Sequence, residues 1–345
     1  MKYTINGINI FLIIIVTFIA SLIFIPIVKK IANHIKAIDI PNERKVHTKP
    51  TPRLGGLAIF MSFLLGYILF GQLNNQMISI LIGGFILIIL GICDDIKPLK
   101  ARYKLLGQIL AASVVVFYGN IYLSEVSAFG INLAFGSIGY PLAVLFIVAI
   151  INAINLIDGI DGLAGGTCTI FFITVAIIAF FLNRLNGLDV ILCLIMIGST
   201  LGFLVYNFPP ASIFMGDTGS MFLGFMISVI ALLGYKAATV TSLLIPIIIL
   251  FLPILDTIFA IIRRTLKGEN IGKPDKSHIH HQLLKLNKST RKTVLIMYLF
   301  NIICAAISVF YALGDNKLAI VLYLIIIVIM IFMMLKTDVL FSQKK

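Results

Sequence analysis

Long apolar runs, each near twenty residues and separated by short polar or basic segments, dominate this 345-residue chain. At 1.5 Å rise per residue, a helix of that length spans the hydrocarbon core of a bilayer. The runs predict eleven membrane-spanning helices, roughly 8–28, 54–71, 77–93, 103–119, 139–155, 167–183, 189–206, 219–234, 240–262, 293–313 and 317–335. The first run is too long for a cleaved signal and is followed at once by Lys29-Lys30, so it is read as a retained helix. Pro246 and Pro253 predict a bent or broken ninth helix. There is no tandem repeat and no low-complexity segment. The expected fold is a single all-α polytopic membrane domain covering 1–345.

Composition agrees: 60% of residues are hydrophobic and only 12% charged, against about a quarter charged in soluble domains. Trp is absent, leaving Tyr and Phe as interfacial anchors. The basic residues then set the orientation. With the loop after the first helix placed inside, 23 of the 27 Lys and Arg fall in inside segments, as the positive-inside rule requires. The N-terminus is expected outside and the C-terminus in the cytoplasm. The formal charge of +13 is explained by this bias and by attraction to anionic headgroups. With no soluble basic domain, it gives no case for nucleic-acid binding. Cys93, Cys168, Cys193 and Cys304 form no CxxC pair, which suggests packing rather than zinc or a disulfide framework.

The same alternation sorts the polar motifs. The Lys45–Gly56 segment, Asp94-Asp95, the stretch from Asn152 to Gly166, the stretch from Asn207 to Ser220, and His278-Ile-His280-His281 all fall inside. The outside loops carry only the single acids Glu125, Asp189 and Asp315. Carboxylates beside lipid are costly, so their gathering on one face points to a cation site there. Asp94 and Asp95 are neighbours, pointing about 100° apart on a helix and free to take different partners. Gly159, Gly162, Gly165 and Gly166 predict a tight loop around Asp158 and Asp161. Asp217 precedes a helix that Thr218 or Ser220 is expected to cap, with an N-terminus that favours an anion such as phosphate. Hard oxygen donors suit Mg²⁺. Lys273, Lys276, Lys285 and Lys288 around the histidines fit phosphate better than a metal. Lys45, His47 and Arg53 add positive charge before the second helix. Asp256 lies inside an apolar run, seven residues from Arg263, where a structural pairing and a catalytic role are equally open.

Taken together, KVHTKPTPRLGG, Asp94-Asp95, NAINLIDGIDGLAGG, NFPPASIFMGDTGS, PILDTIFAIIRR and HIHHQLL, in that order across about residues 40–290, resemble the polyprenyl-phosphate N-acetylhexosamine-1-phosphate transferases. The resemblance implies transfer of a sugar-1-phosphate from a UDP-sugar to a membrane polyprenyl phosphate, with Mg²⁺ (Mn²⁺ as a substitute), releasing UMP. Asn155 and Asp217 resemble the metal ligands. Asp94 and Asp95 resemble the essential acids, and His280 and His281 join them as catalytic candidates. Asp158 and Asp161 match the nucleotide loop. Arg264, with His278 and its neighbours, matches the surroundings of the sugar phosphate. Lys45, His47 and Arg53 are placed with the substrate-binding residues. The Pro-Arg before Gly55-Gly56 and the His-Ile-His-His order favour the branch using UDP-N-acetylglucosamine and undecaprenyl phosphate for teichoic acid or a similar glycan. They argue against the phospho-N-acetylmuramoyl-pentapeptide branch. The expected partners are thus UDP-GlcNAc, undecaprenyl phosphate and the bilayer; a homodimer is compatible, and nucleic acid is not expected. A transporter would place its polar residues at the membrane midplane in paired broken helices, whereas here they lie at one face. A polyprenyl-diphosphate phosphatase would have no use for so large a nucleotide loop.

Overall fold

The computed structural model describes residues 4–5, 7–41, 49–128, 131–236, a few positions between 254 and 268, 279–314 and 316–336. The described helices are α1 (Ile10–His34), α2 (Gly55–Phe70), α3 (Asn75–Ile96), α4 (Ala101–Ser113), α5 (Gly139–Ile157), α6 (Leu163–Phe181), α7 (Leu188–Asn207), α8 (Gly216–Lys236), α9 (Ile279–Asn287), α10 (Thr290–Leu313) and α11 (Asn316–Lys336). Seven stretches among the described residues are long and apolar enough to cross a membrane: α1, α3, α5 with its short lead-in, α6, α7, α8 up to Gly234, and α10. Shorter apolar helices cover Gly55–Phe70 and Lys317–Ile329. α4 is continued by one π turn, Val114–Tyr118. The predicted ninth span, with Pro246, Pro253 and Asp256, lies almost wholly outside the described residues. The chain is a multi-pass, all-α membrane protein.

Side chains of Asn and Ser start several helices by accepting otherwise orphaned N–H groups. Asn9 accepts from Phe11 N–H at 2.9 Å, Asn74 from Met77 N–H at 2.8 Å, and Ser289 opens α10 from its N-cap position. α8 runs through the centre, nearly all of its apolar stretch buried, with α2, α3, α5, α6 and α7 packed around it. Lipid is as apolar as Leu, so close backbone approach, not hydrophobic burial, has to hold such helices together. Gly56 of α2 supplies it: a Cβ there would lie 2.0 Å from Gly219 N of α8. At Gly91 of α3, a Cβ would meet Thr218 Cα at 2.3 Å.

Three two-stranded antiparallel ribbons were not foreseen: Thr4–Ile5 with Ile8–Asn9, Ile38–Asp39 with Thr51–Pro52, and the hairpin Glu125–Ala128 with Ile131–Ala134. Two-residue ribbons leave almost no period-2 signal in sequence. The second ribbon matters most, because it delivers Arg53. Arg53 N–H donates to Ala37 O at 2.9 Å, Phe214 N–H to Pro52 O at 2.8 Å, Gly55 N–H to Phe214 O and Gly56 N–H to Met215 O, both at 2.9 Å. The 51–56 segment is thereby laced between the end of α1 and the start of α8. Cys168, Cys193 and Cys304 are buried as expected, while Cys93 is exposed.

Candidate active site

The antiparallel run of helices brings the C-terminal end of α3, the N-terminal ends of α4 and α8, and Arg53 before α2 to one end of the bundle. The Asp94-Asp95 pair divides as its 100° offset on a helix allows. Asp95 turns to α8. It accepts Asp217 N–H at 2.9 Å, Thr218 N–H at 3.1 Å and the Thr218 hydroxyl at 2.7 Å. The N-terminus of α8 is therefore capped by a carboxylate from another helix. Neither Thr218 nor Ser220 fills the capping role expected from sequence; the Thr218 hydroxyl is itself a donor to Asp95. Gly216, at φ +71°, makes room for this, since a Cβ there would stand 2.3 Å from Asp95 Oδ2.

Asp94 turns the other way, accepting Leu99 N–H at 2.8 Å and lying 3.4 Å from Lys104 Nζ. Lys104 also pairs with Asp217. Arg53 reaches Asp95 at 3.6 Å, Asp39 at 3.9 Å and Asp217 at 4.0 Å. Burial works against the Arg53 charge, but Asp95, Asp39 and Asp217 outweigh it and raise the guanidinium's pKa above its ordinary value. Exposure separates the three acids. The Asp95 side chain is fully enclosed (0% exposed), whereas Asp94 keeps 10% and Asp217 keeps 15%. Asp94 and Asp217 retain an edge toward solvent; Asp95 is committed to holding α8.

The second half of the site stands on α5 and the loop after it. Asn155, in the last turns of α5, donates from Nδ2 to Ser220 Oγ of α8 at 2.8 Å. One turn earlier, Asn152 donates to Gln108 Oε1 of α4 at 2.7 Å. Asp158 ends α5. Its carboxyl is pushed up to about 7, first by burial, then by Asp217 against the opposing pull of Arg53, with Asp95 and Asp161 adding to the rise. Asp158 therefore shares a field with Asp217, Arg53 and Asp95. Asp161 points elsewhere and accepts Ala211 N–H at 2.9 Å, joining its loop to the one before α8. The glycine-rich loop is shorter than predicted. Gly162 takes the left-handed conformation at φ +77°, but Gly165 and Gly166 are already in α6.

Lys45, His47 and His278 lie outside the described residues, as does Arg263. His280 and His281 are in the first turn of α9, their side chains outside the description. Arg264 is buried. Sequence reasoning missed Lys104 and Asp39. Lys104 had a signal: a lysine at the start of an apolar run needs a carboxylate partner. Among the described residues, no group of three or more His, Cys, Asp or Glu side chains is placed to hold a metal ion.

A cluster of acidic and basic side chains, partly open to solvent, at one end of a polytopic bundle marks this end of the membrane protein as the candidate site, and the comparisons with known proteins point to a membrane enzyme. The model of glycosyl transferase family 4 matches residues 77–235. A probable undecaprenyl-phosphate N-acetylglucosaminyl 1-phosphate transferase of Bacillus subtilis is 46% identical over 303 residues, covering 84% of this chain and 82% of the relative. A decaprenyl-phosphate N-acetylglucosaminephosphotransferase of Mycobacterium tuberculosis is 35% identical over 303 residues, covering 79% and 75%. An undecaprenyl-phosphate alpha-N-acetylglucosaminyl 1-phosphate transferase of Haemophilus influenzae is 32% identical over 308 residues, covering 86% and 85%. The chain belongs to the polyprenyl-phosphate N-acetylhexosamine-1-phosphate transferase family and is an enzyme of the phosphoglycosyl transferase class.

Proposed function

We propose that this enzyme transfers GlcNAc-1-phosphate from UDP-GlcNAc to undecaprenyl phosphate at the cytoplasmic membrane face, with Mg²⁺, to start a cell-envelope glycan such as teichoic acid. The observation that carries the reading is the Bacillus subtilis relative, named for that sugar phosphate and that lipid and matched over 82% of its length. A phosphate oxygen of the lipid attacks the sugar-linked phosphorus of the donor. A new P–O bond forms, the bond between the two donor phosphates breaks, and UMP leaves.

Two anions have to meet, so charge neutralisation is the main task. Arg53 and Lys104 supply two fixed cations. The donor set also fits a divalent ion. Asp158, Asp217 and Asp95 share one field: burial first, and then Asp217 and Asp95, push the Asp158 carboxyl up to about 7. Asp217 and Asn155 would hold the ion; Mg²⁺ usually keeps several waters and needs few protein ligands. When bound, Mg²⁺ would supply positive charge to the reacting phosphates. Asp94, with its open edge, organises water and phosphate beside Lys104. General-base chemistry is a secondary role: a phosphate monoester with second pKa near 6 is about nine-tenths dianion at pH 7. Proton removal would then gain far less than the roughly 10²–10⁴ typical of general-base catalysis. The histidines of α9 are assigned to the sugar phosphate.

The test uses purified enzyme in mixed micelles with undecaprenyl phosphate and radiolabelled UDP-GlcNAc. Labelled lipid and UMP should appear in equal amounts, stop on addition of EDTA, and return with excess Mg²⁺ or Mn²⁺. Transfer from UDP-MurNAc-pentapeptide in place of UDP-GlcNAc would move the chain to the other branch. Product formed unchanged in EDTA would remove the metal role.

A further inference from the structure

Nothing in the proposed chemistry uses α10, yet one face of that helix holds the loops of the site. Arg291, Tyr298 and Asn301 are seven and three residues apart and form a single stripe. The Arg291 Nε donates to Pro209 O at 2.9 Å, with its guanidinium 5.9 Å from the centre of the Phe208 ring. The Tyr298 hydroxyl donates to Gly162 O. Asn301 Nδ2 donates to Thr167 Oγ1 of α6 at 2.9 Å. Gly162 is gripped from its other side too, donating its N–H to Asn207 Oδ1 of α7 at 2.9 Å. Asn207 in turn donates to Ile213 O at 2.9 Å. Gly166 leaves the space the tyrosine needs, since a Cβ there would lie 2.0 Å from Tyr298 Cζ. The loops 158–162 and 208–213 are thus tied to each other and to α10. Only Lys288 and Ser289 separate α10 from α9, which begins with the His280–His281 turn.

We propose that Tyr298 and Arg291 are positioning residues: the polar stripe of α10 fixes the Asp158–Gly162 loop at a set distance from the histidine segment, so that both ends of the sugar nucleotide are held together. The assignment rests on the proposed function for its substrate, but not for its geometry. A tyrosine that only propped up the fold would show its loss in stability and active fraction. A tyrosine that holds a binding loop shows it in affinity for one substrate.

Tyr298→Phe removes a single hydroxyl. Two readouts apply to the full-length enzyme in detergent. In hydrogen exchange, amides of 158–166 should exchange at least threefold faster, while those at 94–97 and 217–220 keep wild-type rates. In kinetics, KM for UDP-GlcNAc should rise three- to tenfold, the scale of one neutral hydrogen bond, with kcat and the KM for undecaprenyl phosphate within twofold. Arg291→Gln should loosen 208–213 in the same exchange experiment and serves if Tyr298→Phe fails to fold. Unchanged exchange at 158–166 in Tyr298→Phe would overturn the proposal, as would a kcat loss with an unchanged donor KM. If the wild type fails to use UDP-GlcNAc, the proposed function falls, and the exchange result alone decides the positioning role.

Discussion

Replacing Asp95 with Asn should damage the fold of the site before it damages the chemistry. Asp95 accepts three hydrogen bonds from the first turn of α8, at 2.9, 3.1 and 2.7 Å, and faces Arg53 at 3.6 Å. An amide keeps one acceptor oxygen and puts an NH₂ where the other stood. If that NH₂ faces Asp217 N–H, it also faces Arg53. If it faces Thr218, the hydroxyl can turn and accept, but the Thr218 N–H is orphaned. Either way one buried backbone donor goes unpaired, at about 1–3 kcal/mol, and Arg53 loses its nearest carboxylate. We expect about 2–4 kcal/mol in total. At roughly 2 °C per kcal/mol for a chain of this size, the thermal midpoint should fall by about 4–8 °C. Asp94→Asn is the control. Its oxygen can still accept Leu99 N–H, Lys104 keeps Asp217, and a partly exposed ion pair contributes at most about 1 kcal/mol. Its midpoint should stay within about 2 °C of wild type while turnover falls. The protein lacks Trp, but Cys168, Cys193 and Cys304 are buried, so a thiol-reactive dye in detergent reports unfolding, with exposed Cys93 as the baseline. An Asp95→Asn protein as heat-stable as Asp94→Asn, with equal loss of turnover, would refute the division of labour.

Other consequences can be checked with the same preparations. Lys104→Met leaves Asp94 and Asp217 without their shared cation and should lower labelled-lipid formation roughly 10²-fold, the scale of removing one electrostatic stabiliser; a rate within threefold of wild type would exclude Lys104 from the site. Gly56→Ala forces a methyl against the Gly219 backbone and should cost at least about 1–3 kcal/mol, read as a lower dye midpoint or lost expression. Asp158 gives a pH dependence. Its folded pKa of about 7 lies above the ordinary carboxylate value of 3.8, so between those values the folded protein binds more protons than the unfolded one. Stability without divalent ion should then fall as pH rises from about 4 to 7. Asp158→Asn should flatten that slope, and Mg²⁺ at pH 8 should restore the wild-type midpoint; a wild-type slope in the variant would place the titration elsewhere.

Much of this was legible in sequence because lipid imposes strong rules. Runs of about twenty apolar residues mark helices, and their alternation puts Asp94-Asp95, Asn155, Asp158 and Asp217 at one end. That such residues meet follows from topology alone. Which atoms meet does not. Asp95 and Thr218 are 123 residues apart, and nothing local distinguishes an acid that caps a distant helix from one that faces substrate. The Arg53 placement depends on a ribbon of two residues per strand, too short to read. Gly165 and Gly166 looked like loop glycines because composition cannot separate a turn from a helix whose first turn accepts a neighbouring ring.

The capping of α8 also changes how the site attracts phosphate. A free helix N-terminus carries about half a positive charge and binds anions through its open N–H groups, and the sequence pointed to that use of the Asp217–Ser220 turn. Here the Asp217 and Thr218 N–H groups are already taken by Asp95, whose full negative charge more than cancels the helix end. The helix end is then not available to a phosphate, and charge neutralisation falls to other groups. On the proposed function, Arg53 and Lys104, each held between acids that fix its position, would meet the substrate phosphates together with the divalent ion. This arrangement exchanges a backbone anion site for side-chain cations held on acidic supports. The same acid that occupies the helix end orients Asp217 beside Lys104, so the structural role of Asp95 and the electrostatic role of its neighbours are one design.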